Sequence, residues 1–465
     1  MTVQEGERFN YAAPYRNTSL DAHPPLYYWA LHTVCSIFPD SFSKWLGIGI
    51  NLLFFVVAEV FIFLISRELI HTKMFQLLPM ILYGFSLYAV DTITFIRMYM
   101  LLTMITMIFV YQSLKIMRES ITIKTMIPLC ITIYLGAMTQ YYFLVFAFWG
   151  CLSFIIYLLK NKRFKEMMTY AVGALMSVIL MFLSFPYVVE HVTGSETNNI
   201  GNEVTRALFD FKLWLIQLYN LVKATIYKIS SIPVISIAIV AFVIVLIIVL
   251  LLKAYKEKSL NRNLFKTREL VWIFVAFSLS VITIAKVGGD YVYLRYIYFI
   301  IPLMYIGVIA IIDYLSINYK KLQTALMGLA LCFAVTNCIV GIVYKSPEYL
   351  QISTAKDTEM VTKYNNLDMI MVASDLDRSA ELTGNFTKIR EFDSVYINEL
   401  ESILSEHVFE DCIEENGKCV IYVPTDKYWI SGYDAEEVLK ELIGAKELSY
   451  SKISNGSLGE YYLVE

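Results

Sequence analysis

Charge is what this chain has least of. Only 17% of its 465 residues are Asp, Glu, Lys or Arg, while 57% are hydrophobic and mean hydropathy is +0.58. A soluble domain carries roughly 25% charged residues, so an ordinary soluble globule is excluded. The net charge of −3 provides no global basic field, which argues against nucleic acid as a partner. No phosphate loop and no G-x-G-x-x-G is present, and the seven cysteines show no metal-ligand spacing. The first twenty residues contain no apolar run and no signal peptide. Clear internal repeats are also missing. Aromatic residues, by contrast, are abundant at 15%, as expected where many side chains sit at a membrane–water boundary.

The apolar runs are long enough to cross a bilayer, which takes about 20 residues. They predict about ten transmembrane helices, near Lys44–Ser66, Leu77–Phe95, Tyr99–Met117, Thr125–Thr139, Tyr141–Leu159, Met168–Val188, Pro233–Leu252, Leu270–Ala285, Tyr296–Tyr314 and Gln323–Tyr344. One set of alternate loops holds most of the base, including Lys160, Lys162, Arg163 and Lys165, then Lys253 through Arg268. The other set has fewer than half as many Lys and Arg. The basic set is therefore read as cytoplasmic. Asp21, Arg97, Gln140, Glu190, Arg295 and the C-terminal segment then share the opposite, extracytoplasmic side. On that side, Gly194–Gly201 reads as a flexible polar loop and Ala207–Ile229 as a helix lying on the interface.

Three regions are expected: an outer loop with an interfacial helix over residues 1–43, a transmembrane domain over 44–344, and a small α/β domain over 345–465. The last follows from alternating helical stretches (Thr354–Asn366, Asn398–Phe409, Ala435–Ile443) and short apolar strands (Met369–Ser374, Cys419–Pro424, Glu460–Val464). Asp375 and Asp377 follow a strand, as a solvated turn or a ligand site. Cys412 and Cys419 are both expected on the outer side, where a bridge can form, though proximity in sequence does not establish pairing geometry. Within the spans Glu59 is the main charged exception: such a charge marks function by default, and snorkelling or pairing with Arg67 accounts for it at least as well.

The stretch Asp21-Ala-His-Pro-Pro-Leu-Tyr-Tyr-Trp organises the outer face. Pro24 pushes His23 into an extended conformation and Pro25 is suited to opening a helix. Leu26, Tyr27, Ala30, Val34, Ile37 and Phe38 recur at helical spacing, giving an interfacial helix that holds Asp21 and His23 above the bilayer. Asp21 can be the cap of that helix or a catalytic base. The outer face also offers Arg97 and Arg295. Each suits a lipid-phosphate, because the guanidinium fork matches phosphate oxygens; each also suits headgroup anchoring.

These motifs occur in a telling order: Asp21-Ala-His-Pro-Pro-Leu-Tyr-Tyr, Ile96-Arg97-Met98-Tyr99-Met100-Leu101-Leu102-Thr103, Thr139-Gln140-Tyr141-Tyr142-Phe143, and Leu294-Arg295-Tyr296 with Pro302. In this order the chain resembles bacterial GT-C-fold glycosyltransferases of the protein O-mannosyltransferase and aminoarabinose transferase type, over roughly Asp21 to Ile309. The resemblance implies a polytopic α-helical membrane enzyme that uses polyprenyl-phosphate sugars at its outer face. It places Asp21 and His23 in catalysis, Arg97, Tyr99 and Arg295 at the donor phosphate, and Gln140, Tyr141, Glu190 and His191 among substrate contacts. It leaves a divalent metal open, since relatives differ in that respect, and Gln140 stands where relatives often have His.

Relatives also carry an Asp-Glu pair after an initial membrane helix, before the His-Pro-Pro motif. Met1–Leu20 has Glu5 and Glu7 but no such pair. The resemblance therefore predicts an upstream segment with a helix of about 20 apolar residues and an acidic pair, and little transfer by the chain as written. The expected activity is sugar transfer from a polyprenyl-phosphate donor to a lipid, glycan or protein acceptor outside the plasma membrane, with inversion because a single displacement inverts the anomeric centre. Two other readings are a transporter or flippase-like carrier of lipid-linked sugar and an inactive relative. A carrier calls for internal inverted repeats and broken helices at mid-membrane, whereas here no clear repeat is present and the polar residues gather at one face.

Overall fold

A computed structural model describes residues 3–19, 23–41, 43–193, 210–257, 267–288, 292–344, 346–347, 359–360, 362–364, 366–367, 369–373, 392–396, 417–425, 437, 439–440, 449–455 and 459–464. The chain divides into two compact units, Met1–Leu350 and Gln351–Glu465.

The first unit is helical. Its helices, among the described residues, are α1 (Ala12–Ser19), α2 (Leu26–Ile37), α3 (Lys44–Leu69), α4 (Leu78–Gly84), α5 (Leu87–Thr94), α6 (Tyr99–Arg118), α7 (Ile123–Ala137), α8 (Tyr142–Lys160), α9 (Phe164–Ser184), α10 (Val188–Thr193), α11 (Phe211–Tyr227), α12 (Pro233–Lys256), α13 (Thr267–Val287), α14 (Ile301–Ser316) and α15 (Lys320–Val343). A 3-10 turn, Leu294–Ile300, runs straight into α14. Among the described residues eight helices are long and apolar enough to cross a membrane, so the protein is a multi-pass membrane protein. Each of the ten expected runs is helical, but two are not simple spans. The run expected at Leu77–Phe95 breaks into α4 and α5, bent by 50°. Ser86 begins the second half as an N-cap, its hydroxyl accepting from Ala89 N. The run expected at Thr125–Thr139 is the 15-residue α7, with Pro128 inside it. The stretch read as an interfacial helix at Ala207–Ile229 contains the 17-residue α11.

In lipid, apolar burial does not drive helices together, so packing and internal hydrogen bonds must do so. The windows of α6 and Leu294–Ser316 are 72% buried, against 11% for α12 and 17% for α9. The first two are therefore central and the others face outward. Phe109 of α6 meets Phe143, Phe146 and Trp272, and the Trp272 indole donates to Gly150 O at 2.8 Å.

One end of this unit is tied by ion pairs. Arg118 at the end of α6 reaches Glu68 of α3 and Glu269 of α13; Arg268 also reaches Glu269 and donates to Tyr157 OH at 3.1 Å. Arg163 pairs with Glu166, which also accepts from Ile121 N. Nearby in the fold, the fully buried Asp313 accepts from His71 N at 2.8 Å, from Thr72 N and from Gln323 Nε2. Glu59 departs from expectation. Arg67 lies over the Phe63 ring, and both Glu59 carboxylate oxygens are buried without a hydrogen-bond partner among the described residues, beside Gly84 at the α4–α5 break.

The second unit holds a five-stranded sheet, β1 (Met369–Ala373), β2 (Phe392–Tyr396), β3 (Cys419–Pro424), β4 (Tyr450–Asn455) and β5 (Gly459–Val464), in the order β2-β1-β3-β5-β4. β1 pairs parallel with β2 and β3; β3–β5 and β5–β4 are antiparallel. β2 and β4 were not expected. Tyr450–Asn455 is polar and half-exposed, so it lacks the apolar run that marked β3. Met371, Val420, Tyr422 and Tyr461 form the core of the sheet. Cys419 is buried on β3, while Cys412, Asp375 and Asp377 lie outside the described residues, as do Asn398–Phe409 and Gly194–Gly201.

Candidate active site

Arg97 sits in the tight turn between α5 and α6. Thr94 ends α5, Phe95 N bonds back to Asp91 O at 2.9 Å, and Arg97 N bonds to Phe95 O at 2.7 Å. From α3, the buried Asn51 amide donates to Ile93 O at 3.0 Å and Phe95 O at 3.2 Å. This satisfies carbonyls that the helix end would leave orphaned. Gly47 makes that approach feasible, because a Cβ there would lie 2.4 Å from Ile96. The turn is thus built by backbone satisfaction, and it holds a guanidinium at the head of the bundle.

Arg295 enters on the 3-10 turn before α14. Its guanidinium lies 4.1 Å from the Tyr293 ring centroid and 5.7 Å from Phe95; that of Arg97 lies 6.0 Å from the same Phe95 ring. Two cations 198 positions apart in sequence therefore flank one phenyl group. Tyr99 stacks on Phe95 at 5.7 Å, and Tyr142 meets Tyr296 at 4.7 Å. Cation–π attraction offsets part of the repulsion between the arginines. Among the described residues no carboxylate pairs with Arg97.

α2 and the α7–α8 turn close the group. Leu26 N donates to Met138 O at 3.1 Å, which fixes the start of α2 against the Thr139–Tyr141 turn. Gly136 lets that turn fold back, since a Cβ there would meet the Phe143 ring at 2.4 Å. Pro25 is the N-cap of α2, and Pro24 and Pro25 are buried beside the half-buried His23. The buried face of α2 is Tyr27, Leu31 and Cys35, at i, i+4 and i+8; Ile37 and Phe38, expected on that face, are exposed. Burial raises the Tyr27 phenol above its ordinary value, with Asn51 and Arg97 pulling the other way. The N-terminal segment lies along α2: Arg8 donates to Ser36 O at 2.9 Å and Trp29 to Tyr11 O at 3.3 Å. Glu5 is taken up by Arg8, and Glu7 accepts from Gln4 N.

Tyr141 and His191 are also brought together. Tyr141 OH lies 2.8 Å from His191 Nδ1, and His191 Nε2 lies 3.0 Å from Ser19 O. A carbonyl only accepts, so Nε2–H donates to Ser19 and Nδ1 accepts from the phenol. Gln140 is buried and its Oε1 accepts from Tyr141 N at 2.8 Å, a local turn contact; Glu190 is exposed on α10. Asp21 lies outside the described residues. Among the described residues no three His, Cys, Asp or Glu side chains gather as a metal site.

Sequence reading missed Asp91, Lys228 and Tyr298. Asp91 is fully buried on α5 and forms an ion pair with Lys228, whose Nζ also donates to Tyr298 OH at 2.7 Å. Asp91 falls inside an apolar run, and no signal in that run marks its partner.

No family profile matches the chain, and no curated protein matches it in sequence. Solved structures do match. The crystal structure of ArnT from Cupriavidus metallidurans in the apo state aligns with a TM-score of 0.51 at 9% identity, covering 99% of this chain and 94% of that one. The same protein bound to undecaprenyl phosphate aligns with a TM-score of 0.46 at 11% identity, over the same shares. ArnT is a GT-C-fold aminoarabinose transferase, and the present chain has the GT-C fold: a helical membrane domain with a small C-terminal sheet domain.

Proposed function

We propose that this chain is a glycosyltransferase that moves a sugar from a polyprenyl-phosphate donor to an extracytoplasmic lipid, glycan or protein acceptor. The observation that carries this reading is the pair Arg97 and Arg295, whose guanidiniums lie 6.0 and 5.7 Å from the Phe95 ring centroid, where the motif-bearing segments meet. A phosphate leaving group is already a stable anion and needs cations more than an acid. Two guanidiniums with fixed donor forks meet that need. An apolar groove of about 690 Å³, lined by Leu78, Leu82, Val243, Tyr305 and Phe333, suits a lipid chain.

In the proposed reaction the acceptor oxygen bonds to the anomeric carbon as the bond from that carbon to the phosphate oxygen breaks. The phosphate keeps the electron pair and is held by Arg97 and Arg295. The acceptor proton passes to a carboxylate, assigned to Asp21, two residues before His23 in the sequence. One displacement inverts the centre. Tyr141 and His191 line the acceptor or sugar side. In this reading the Arg97 end faces outward across the plasma membrane and the sheet unit is extracytoplasmic, which the excess of Lys and Arg in the alternate loops supports.

The test is release of polyprenyl phosphate from a polyprenyl-phosphate sugar by the purified full chain in lipid nanodiscs. Release with acceptor present, lost in the Arg97→Ala, Arg295→Ala variant, is the expected result. Movement of intact donor across vesicles without release would favour a carrier and refute the transferase.

A further inference from the structure

Asp91, Lys228 and Tyr298 come from three separate segments: α5, the loop after α11, and the 3-10 turn before α14. The Asp91 side chain is fully buried and that of Lys228 is 13% exposed. Lys228 Nζ donates to Tyr298 OH, and Tyr298 OH lies 3.5 Å from Asp91 Oδ2. Removing a carboxylate and an ammonium from water costs several kcal/mol for each ion, and their attraction seldom repays more than that cost. Apolar side chains would fill the space at no less stability. The pair supplies instead a fixed geometry between segments.

That geometry bears on the arginines. Phe95 lies one helical turn after Asp91 and bonds back to its carbonyl, and both guanidiniums flank its ring. Arg295 lies three residues before Tyr298. A 3-10 helix has three residues per turn, so the two stand on the same edge, one turn apart. The ion pair and phenol thus lie one turn from Phe95 on α5, which the Arg97 turn follows directly, and one turn from Arg295 on the 3-10 turn. Tyr88, one turn before Asp91, packs edge-on against the Tyr298 ring at 5.8 Å and donates to Thr225 O, one turn before Lys228. The end of α11 is pinned to α5 at two points.

We propose that Asp91, Lys228 and Tyr298 are positioning residues that set the separation of Arg97 and Arg295 for a phosphate monoester; this rests on the reading of those arginines as a phosphate clamp. The unit acts through the backbone turns and does not touch the ligand.

The experiment uses the full chain in nanodiscs with a short polyprenyl monophosphate as probe. Spin labels at Thr94→Cys and Val292→Cys report the separation of the two segments. The neutral pair Asp91→Asn, Lys228→Gln removes both charges together, so no buried ion is left alone. It is expected to melt within a few degrees of the parent, to bind about tenfold more weakly, and to broaden the label distance distribution. Lys228→Arg, which keeps the charge, is expected to bind within about threefold of the parent. Parental affinity with a parental distance distribution in the neutral pair would overturn the proposal. Lost affinity with an unchanged distribution would also overturn it, since the pair would then act on the ligand directly. If the neutral pair does not fold, Tyr298→Phe decides: its ring still packs on Tyr88, and parental affinity and distances there would refute positioning. Unchanged binding in Arg97→Ala, Arg295→Ala would sink the clamp reading alone, leaving the distance measurement to judge the geometry.

Discussion

The two ends of the helical unit use the same residue type for different ends. Where Arg118, Arg163 and Arg268 lie, each guanidinium meets a glutamate, and Glu269 is shared by two of them. Where Arg97 and Arg295 lie, the guanidiniums meet the faces of Phe95, Tyr293 and Tyr296. A carboxylate neutralises an arginine and makes it a tie between helices. An aromatic face holds a guanidinium in place without neutralising its charge. Sequence counts treat both groups alike, as positive charge near a span end, yet one group meets carboxylates and the other aromatic rings.

The largest expected effect separates the groups directly. Losing a charge-assisted bond costs about 1.5–3 kcal/mol, or roughly ten- to a hundredfold in affinity per arginine. Arg97→Ala with Arg295→Ala is therefore expected to lower lipid-phosphate affinity more than a hundredfold. Arg163→Ala, measured in the same binding assay, should leave it unchanged. Arg97→Lys keeps the charge without the fork and should recover only part of the loss. Equal effects from Arg97 and Arg163 would erase the contrast.

A second, opposite effect is expected at the paired end. Arg118→Ala removes one partner of the 5%-exposed Glu269 and leaves Arg268. A cost of about 1–3 kcal/mol in stability follows, read as a lower melting temperature with unchanged affinity in the folded protein. A loss of affinity at unchanged stability would assign Arg118 to a site instead.

The smallest effect concerns His191. Its ring links Tyr141 to Ser19, two hydrogen bonds of about 1 kcal/mol each. His191→Phe keeps a flat ring and loses both. A several-fold drop in transfer rate, with lipid-phosphate affinity intact, is expected from paired kinetic and binding assays. A drop in affinity instead would move His191 to the phosphate side.

Much of this architecture was legible in the chain. Long apolar runs mark spans because a bilayer sets their length, and β3 stood out as six apolar-rich residues between turns. The convergence of the His-Pro-Pro, Arg97, Tyr141 and Arg295 segments was legible only as an order of motifs. The α4–α5 break was not, since Gly84-Phe85-Ser86 sits in a run whose hydropathy remains high. Polar β4 was hidden because pairing with β5, and not its own composition, makes it a strand.

By itself, then, the amino-acid order determined a membrane protein of many spans, with its basic loops on one side and two arginines on the other, because hydropathy and charge are summed locally along the chain. Only the tertiary structure decided which charges are answered and by what. Asp91 and Tyr298 are 207 residues apart, and Arg97 and Arg295 share one ring only after α5, α6 and the turn before α14 have packed. A buried carboxylate is defined by its partner, and partnership is a property of folded space.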